Sequence, residues 1–155
     1  MTASSRGMEG VVAAQTGISF IDGINGRLFY RGIDINELVE KSTFEETTAL
    51  LWYGDLPTAR QLDSFTRKMV ENRLIPNEVI ALLLLLPKKT STMGVLRTAV
   101  SALAPFDPET GDNSLEANVH KSIRLTAALP TIVAAWERIR NGLWPVTPSG
   151  ALSHA

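Results

Sequence analysis

Hydrophobic and polar positions divide the chain into a short β-rich start and a long helical remainder. Short apolar runs at 11–14, 18–21 and 27–30 predict strands, the last of them rich in aromatic residues. The turn residues at 22–26 predict that the last two strands form a hairpin. No second β-rich region follows Gly32. The pattern therefore predicts a mainly α-helical fold with a short amino-terminal β-hairpin.

Capping residues, glycine and proline mark where the helices begin and end. Ser42 and Glu45 predict a capping box, in which each side chain accepts a hydrogen bond from a backbone N–H of the first turn. Pro130 lies inside the longest helical stretch, where it is expected to kink the helix or split it in two. The predicted helices cover 35–41, 43–53, 59–73, 77–86, 92–103 and 115–141.

Two features of the helical part predict missing neighbours. The helix at 77–86 is apolar on nearly every side, which is typical of a packed interior. Residues 144–150 are interpreted as a non-helical connector, and 151–155 as the first turn of another helix that stops at once. A helix with nothing to pack on is a poor end for a domain. We therefore expect the chain to be a segment of a longer protein, truncated at its carboxyl end.

Composition narrows the classes of partner and chemistry. The 155 residues carry 15 basic and 16 acidic side chains, and this balance gives no electrostatic reason to expect nucleic acid or an anionic membrane as a partner. Because the chain has no cysteine, disulfides, thiolate catalysis and cysteine metal sites are excluded. The richest apolar run, 79–86, is too short to cross a bilayer. A cytoplasmic protein of one domain is expected.

The two histidines are the first candidates for catalysis. His120 lies on the long predicted helix, four residues after Glu116 and near Arg124, with no nucleophile at a motif spacing. This pattern favours a solvent-facing histidine over a catalytic one. His154 is next to the last residue and is expected to fray with the end of the chain. Neither histidine is assigned a functional role.

Other polar patterns also favour structural roles. Glu45 and Glu46 belong to no metal-ligand motif, and capping is enough to explain Glu45. The glycines Gly23, Gly26 and Gly32 do not form the GxGxxG pattern that holds phosphate between a strand and a helix, so they are interpreted as turn residues.

Arginine and tryptophan side chains receive equally local interpretations. Arg27 and Arg31 are expected to pair with nearby acids such as Asp34 or Glu37 rather than with a ligand carboxylate or phosphate. Core or contact positions are expected for the three tryptophans, Trp52, Trp136 and Trp144. A solvated basic helix face is expected for Lys121, Arg124, Arg138 and Arg140.

Several separate stretches, in the same order along the chain, resemble the amino-terminal part of the citrate synthase family. They are GMEGVV at 7–12, GRLFYRGIDINEL at 26–38, LLWYGDLPT at 50–58 and MGVLRTAVS at 93–101. The last departs from the family, because relatives often place His-Pro where this chain has Ser91 and Thr92, although that histidine is not catalytic. The resemblance extends from Gly7 to Ala155 but covers only the first part of a much longer family member.

The resemblance implies a largely helical, two-domain, dimeric acyltransferase of the tricarboxylic acid cycle. Such an enzyme condenses acetyl-CoA with oxaloacetate to give citrate and free CoA, and it holds no tightly bound cofactor. This chain would supply an amino-terminal segment at 1–36, which carries the hairpin, and a helical part of the large domain at 37–155. The family's catalytic aspartate, catalytic histidines and substrate arginines follow the part that this chain resembles. No catalytic, cofactor-binding or metal-binding residue is therefore assigned, and the chain alone is expected to be inactive.

Two alternatives remain open. A 2-methylcitrate synthase has the same scaffold and differs in its acyl-chain pocket, which this segment does not reveal. A free-standing, non-catalytic helical interaction module could use the same scaffold to bind a partner such as a full-length synthase subunit. The apolar helix at 77–86 and the abrupt carboxyl end favour the enzyme segment. As a segment, the chain is expected to expose apolar surface, and so to self-associate or be marginally stable.

Overall fold

A computed structural model describes residues 14–154, and its contacts divide the chain after Thr58 into two compact units. Each unit is described by itself. The family-like stretch at 7–12 and most of the strand predicted at 11–14 lie outside the described residues. The boundary predicted between residues 36 and 37 stays a prediction.

The first unit begins with a three-stranded antiparallel sheet. Strands β1 (Ser19–Asp22) and β2 (Arg27–Tyr30) pair with Ser19 opposite Tyr30, which confirms the predicted hairpin. A third strand, β3 (Ile33–Asp34), pairs with β2 and was not predicted from the sequence. Arg31 and Gly32 both have positive φ angles, 48° and 85°, and they reverse the chain within two residues. A strand of two residues is too short to show an alternating pattern.

Two helices complete the first unit, α1 (Ile35–Lys41) and α2 (Phe44–Tyr53). Asp34 caps α1, because its carboxylate accepts a hydrogen bond from the Asn36 backbone N–H at 3.0 Å. Gly54 ends α2 in the left-handed conformation, and its N–H donates to the Leu50 carbonyl at 2.9 Å.

The capping box of α2 lies one residue later than predicted. Thr43 is the cap: its hydroxyl accepts from the Glu46 N–H at 3.2 Å, and the Glu46 carboxylate accepts from the Thr43 N–H at 2.7 Å. Ser42 is not available for this role, because its N–H closes α1 by donating to the Leu38 carbonyl. The capping role expected for Glu45 is therefore wrong, and its side chain is buried instead.

The second unit contains four α-helices and confirms the mainly helical fold class. All four helices lie within two residues of their predicted bounds, since the limits found are α3 (Ala59–Glu71), α4 (Asn77–Leu85), α5 (Thr92–Leu103) and α6 (Leu115–Arg140). A single 3₁₀ turn, Ala104–Phe106, follows α5 at Pro105. None of the described helices is both long enough and apolar enough to cross a membrane.

The core of this unit lies between α4, α5 and α6. Its buried members are Val79, Leu83, Val95, Ala99, Ile132, Ala135, Trp136 and Ile139. Two large apolar side chains of α4, Leu84 and Leu85, are 40% and 83% exposed. The helix is apolar all round, yet only one of its faces packs on α5 and α6.

The long helix α6 is continuous over 26 residues, so the predicted split at Pro130 does not occur. The side chain of Pro130 is exposed. After α6, residues 143–149 form the predicted non-helical connector. Residues 150–152 form a turn rather than the start of a helix, and residue 155 lies outside the described range.

Candidate functional site

A groove of about 290 Å³ runs along α6 beside the connector, and it is the best candidate for a ligand site in the second unit. We call it the connector groove. It is lined by Arg73, Ala127, Pro130, Thr131, Ala134, Val146, Thr147, Pro148, Ser149, Leu152, Ser153 and His154. Most of its surface is apolar, and its polar groups are an arginine, a histidine and several hydroxyls.

Arg73 holds the connector against α6. Its side chain is only 6% exposed, and Nη1 donates to the carbonyls of Ser149 and Leu152 at 2.7 and 2.9 Å. The Thr131 hydroxyl in turn donates to the Arg73 carbonyl at 2.8 Å. The Leu152 carbonyl thus accepts from a side chain, and residues 150–152 form a turn.

Among the described residues, the charge of Arg73 has no acidic partner. Within residues 14–154 the guanidinium forms no ion pair, and its buried Nη2 has no hydrogen-bond partner. Backbone carbonyls are neutral dipoles, so they satisfy donors without cancelling the charge. A buried cation of this kind raises the electrostatic potential of the groove beside it, because the protein interior screens charge poorly. Sequence reasoning missed Arg73, since a single arginine after a helix belongs to no motif.

His154 lies in the same groove. The structure places its side chain half-buried with Ser149 and Ser153 among the lining residues, whereas the sequence predicted a frayed end. An imidazole, hydroxyl groups and a positive potential together suit a carboxylate or another small anion. The described residues contain no cluster of side chains that could hold a metal ion.

A second polar cluster joins the loop after α5 to α6. Arg124 Nη2 lies 2.8 Å from Asp107 Oδ1 and 2.7 Å from Glu109 Oε2, and His120 Nδ1 lies 3.1 Å from Glu109 Oε1. The hydrogen bond from His120, followed by that from Arg124, lowers the pKa of Glu109 below its usual value. We call these four residues the loop clasp. His120 is therefore paired, not simply solvent-facing, and Arg124 does not belong to a solvated basic face.

The remaining sequence candidates have structural positions. Arg27 pairs with Asp34 at 2.8 Å, as predicted. The acidic partner predicted for Arg31 is wrong, because its guanidinium donates to the Leu51 carbonyl at 2.7 and 3.2 Å. Gly26 and Gly32 take positive φ angles in turns, as predicted.

The tryptophans differ from one another. Trp136 is buried in the core, as expected, and within the described part of the chain its indole N–H has no hydrogen-bond partner. Trp144 is 74% exposed, so the core or contact position expected for it is not seen in this chain. It follows the last helix, where its carbonyl accepts a hydrogen bond from Arg138.

Comparison with known proteins gives consistent matches along almost the whole chain. The family model described as "Citrate synthase, C-terminal domain" matches residues 7–155. The citrate synthase of Haloferax volcanii is 39% identical over 97% of this chain and 41% of its own length. The 2-methylcitrate synthase of Mycobacterium tuberculosis is 38% identical over 97% of this chain and 38% of its own length.

Solved structures give the same result for the fold. The crystal structure of citrate synthase from Thermotoga maritima matches with a TM-score of 0.83 and 41% sequence identity, and the match covers 96% of this chain and 38% of that one. The chain spans about two fifths of the length of the curated relatives that it matches.

Proposed function

The chain belongs to the citrate synthase family, and from that premise we propose that it is the amino-terminal segment of an enzyme that condenses acetyl-CoA with oxaloacetate to give citrate and free CoA. The observation that carries the proposal is the family match over residues 7–155, together with 39% identity to a curated citrate synthase. The enzyme would be a cytoplasmic homodimer without a tightly bound cofactor, as the family resemblance implies. The boundary between residues 36 and 37 would separate the hairpin segment from the large domain.

Within that enzyme, we assign substrate contact to the connector groove. Oxaloacetate carries two carboxylates, and the groove combines the uncompensated charge of Arg73 with the half-buried imidazole of His154. Arg73 would act through its electrostatic field and not by direct contact, because its Nη2 atom is buried. His154 and the neighbouring hydroxyls would make the contacts. The groups that carry out the condensation have no counterpart here, so the 155-residue chain by itself is expected to release CoA only at background rate.

A chimera tests the enzymatic part of the proposal. Residues 7–155 replace the matched segment of the Haloferax volcanii enzyme, and release of free CoA thiol is followed with oxaloacetate and acetyl-CoA. We expect oxaloacetate-dependent release from the chimera and background release from the 155-residue chain. A folded chimera without activity would contradict the proposal, and turnover by the chain alone would show that the chemistry resides in other residues.

The same assay shows whether this segment contributes to the choice of acyl substrate. The 2-methylcitrate synthase of Mycobacterium tuberculosis is almost as similar to this chain as the citrate synthase of Haloferax volcanii, at 38% against 39% identity. Faster release from propionyl-CoA than from acetyl-CoA, relative to the unaltered Haloferax enzyme, would favour the 2-methylcitrate alternative. An unchanged ratio would show that the residues that set the acyl preference lie outside residues 7–155.

The groove is tested separately by NMR of the two histidine side chains during titration with oxaloacetate. We expect the His154 imidazole signals to shift and those of His120, in the loop clasp, to stay in place. Arg73→Lys keeps the charge and should keep a weakened response, whereas Arg73→Met should abolish it. Equal shifts at both histidines, or no shift at His154, would show that oxaloacetate does not bind specifically in the connector groove.

A further inference from the structure

The chain contains the dipeptide Asn-Gly twice, at Asn25–Gly26 and at Asn141–Gly142. In this dipeptide the backbone nitrogen of the glycine can attack the side-chain carbonyl of the asparagine, because glycine has no Cβ to hinder the approach. Both asparagines are exposed. Sequence and exposure therefore do not distinguish them, and any difference in reactivity has to come from the local structure.

At the first site the attacking nitrogen is free. Asn25 and Gly26 lie in the exposed turn between β1 and β2, and Gly26 has a φ angle of +65°. No heavy atom outside residues 25–27 lies within 4 Å of the position that a Cβ of Gly26 would occupy. Within residues 14–154 the Gly26 N–H forms no hydrogen bond. The nitrogen can therefore approach the side chain without breaking any backbone interaction of its own.

At the second site the same atoms are held by the end of α6. The Gly142 N–H donates to the Ile139 carbonyl at 3.0 Å, and the Asn141 N–H donates to the Arg138 carbonyl at 3.1 Å. The side-chain amide of Asn141 donates to the carbonyl and the carboxylate of Glu137 at 2.7 and 2.9 Å. Attack by Gly142 would require the helix end to open first.

We propose that Asn25 is a deamidation site of this protein and that the helix end protects Asn141. The Gly26 nitrogen forms a bond to Asn25 Cγ, the Cγ–Nδ2 bond breaks, and ammonia leaves with the proton of the Gly26 N–H. Water then opens the resulting succinimide at one of its two carbonyls. The products are aspartate or isoaspartate at position 25, and no oxidant or reductant is involved.

Deamidation of Asn25 would disturb the turn between β1 and β2, because Asp22 is hydrogen-bonded to Asn25. The Asp22 carboxylate accepts hydrogen bonds from the Asn25 side chain at 2.7 Å, from the Asn25 N–H at 3.1 Å and from the Ile24 N–H at 3.2 Å. The side-chain bond is the main reason why the pKa of Asp22 lies below its usual value. Aspartate at position 25 replaces that donor with a second carboxylate, and like charges at this distance repel. Isoaspartate also lengthens the backbone within the hairpin.

The experiment compares the two asparagines within one chain. The folded protein is incubated at mildly alkaline pH and digested with a glutamate-specific protease, which separates peptides 10–37 and 138–155. Mass spectrometry then follows replacement of the side-chain NH₂ by OH. In the folded chain we expect Asn25 to react about tenfold faster than Asn141, because the attacking Gly142 N–H is bonded to the Ile139 carbonyl, whereas the Gly26 N–H has no partner within residues 14–154. In urea the two rates should become equal to within about twofold, since the local dipeptide is the same.

Two variants complete the test. Asn25→Asp should lower the thermal stability of the chain, whereas Asn25→Ser, which cannot form the succinimide and adds no charge, should lower it less and leave peptide 10–37 unmodified at that position. Equal rates at the two asparagines in the folded chain would overturn the proposal. A faster reaction at Asn141 would overturn it as well.

Discussion

Single charged side chains hold the loops of the second unit in place, and they do so in two different ways. In the loop clasp, Arg124 pairs with the carboxylates of Asp107 and Glu109, and His120 forms a hydrogen bond with Glu109. Arg73 instead donates to backbone carbonyls and forms no ion pair within residues 14–154. The first arrangement stabilises a loop, while the second leaves an electrostatic potential that a ligand can use. The two arrangements therefore respond differently to pH.

The loop clasp predicts a stability that depends on pH. The pKa of Glu109 is lowered from 4.5 in the folded chain, so its contribution is fully present above about 4.5 and is lost as the pH falls through the lower folded value. Glu109→Gln should therefore reduce the free energy of unfolding at pH 7, and the difference from the unaltered chain should vanish in strong acid. Urea unfolding at a series of pH values measures this.

Glu71→Gln is the matched control for Glu109→Gln. Glu71 is exposed and forms no ion pair within residues 14–154. Its replacement should change the stability little at any pH. A deficit of Glu109→Gln that stays constant from neutral to acid pH would show that the ionised carboxylate is not what stabilises the loop.

Burial on α4 gives a second prediction for single residues. Leu83 is fully buried, and Leu85, two positions later on the same helix, is 83% exposed. Leu83→Ala should lower the free energy of unfolding by about 2–5 kcal/mol, because it removes buried methyl groups and leaves a cavity. Leu85→Ala should change it by less than about 0.5 kcal/mol. Equal losses in denaturant titrations of the two variants would contradict the packing described for α4.

At the scale of elements, the sequence predicts well the roles of residues whose hydrogen bonds lie within their own helical turn. Asp34, Gly54 and Gly142 cap, end or follow helices as their local chemistry suggests. Predictions fail where a neighbouring element competes for the same group. Ser42 has the right side chain to cap α2, but its backbone N–H already closes α1. A helix or capping propensity describes each residue by itself and does not include such competition between adjacent elements.

The position of the capping box predicts the effect of two substitutions. Thr43→Ala removes the hydroxyl that accepts from the Glu46 N–H, and it should cost about 1 kcal/mol of stability. Ser42→Ala removes only a bond between the Ser42 and Thr47 hydroxyls and a weak contact of 3.4 Å to a carbonyl, so it should cost less. Thermal unfolding followed by circular dichroism compares the two variants. A larger loss of stability for Ser42→Ala than for Thr43→Ala would favour the capping box that the sequence predicted.

The connector groove shows why sites are harder to predict than elements. Arg73 and the Ser149 carbonyl are 76 positions apart in sequence, and the contact between them depends on the path of the whole connector. No spacing rule joins residues at that separation. His154 was visible as a candidate from the sequence, but its chemistry depends on Arg73 and on the face of α6 beside it. The family resemblance could be recognised from the sequence because each of its motifs is a continuous stretch of residues.

At the scale of the whole molecule, buried apolar residues are distributed unevenly between the two units. Eight buried residues form the core cluster, and all of them lie after Thr58. In the described part of the first unit, the buried apolar side chains are Leu38, Ala49 and Leu50. Large apolar side chains such as Leu85 and Leu115 are exposed in the second unit, and self-association through them stays a prediction.

This distribution predicts that the two units differ in their ability to fold alone. A chain of residues 59–155 contains the whole core cluster and should unfold in one cooperative transition. In a chain of residues 1–58 the described part buries few apolar side chains, so we expect it to show no cooperative transition. Calorimetry and circular dichroism of the two fragments, each at several concentrations to separate folding from association, measure the difference. A cooperative, concentration-independent melt of 1–58 would show that the sheet and its two helices are stable by themselves. The fold of the first unit would then not depend on the core after Thr58.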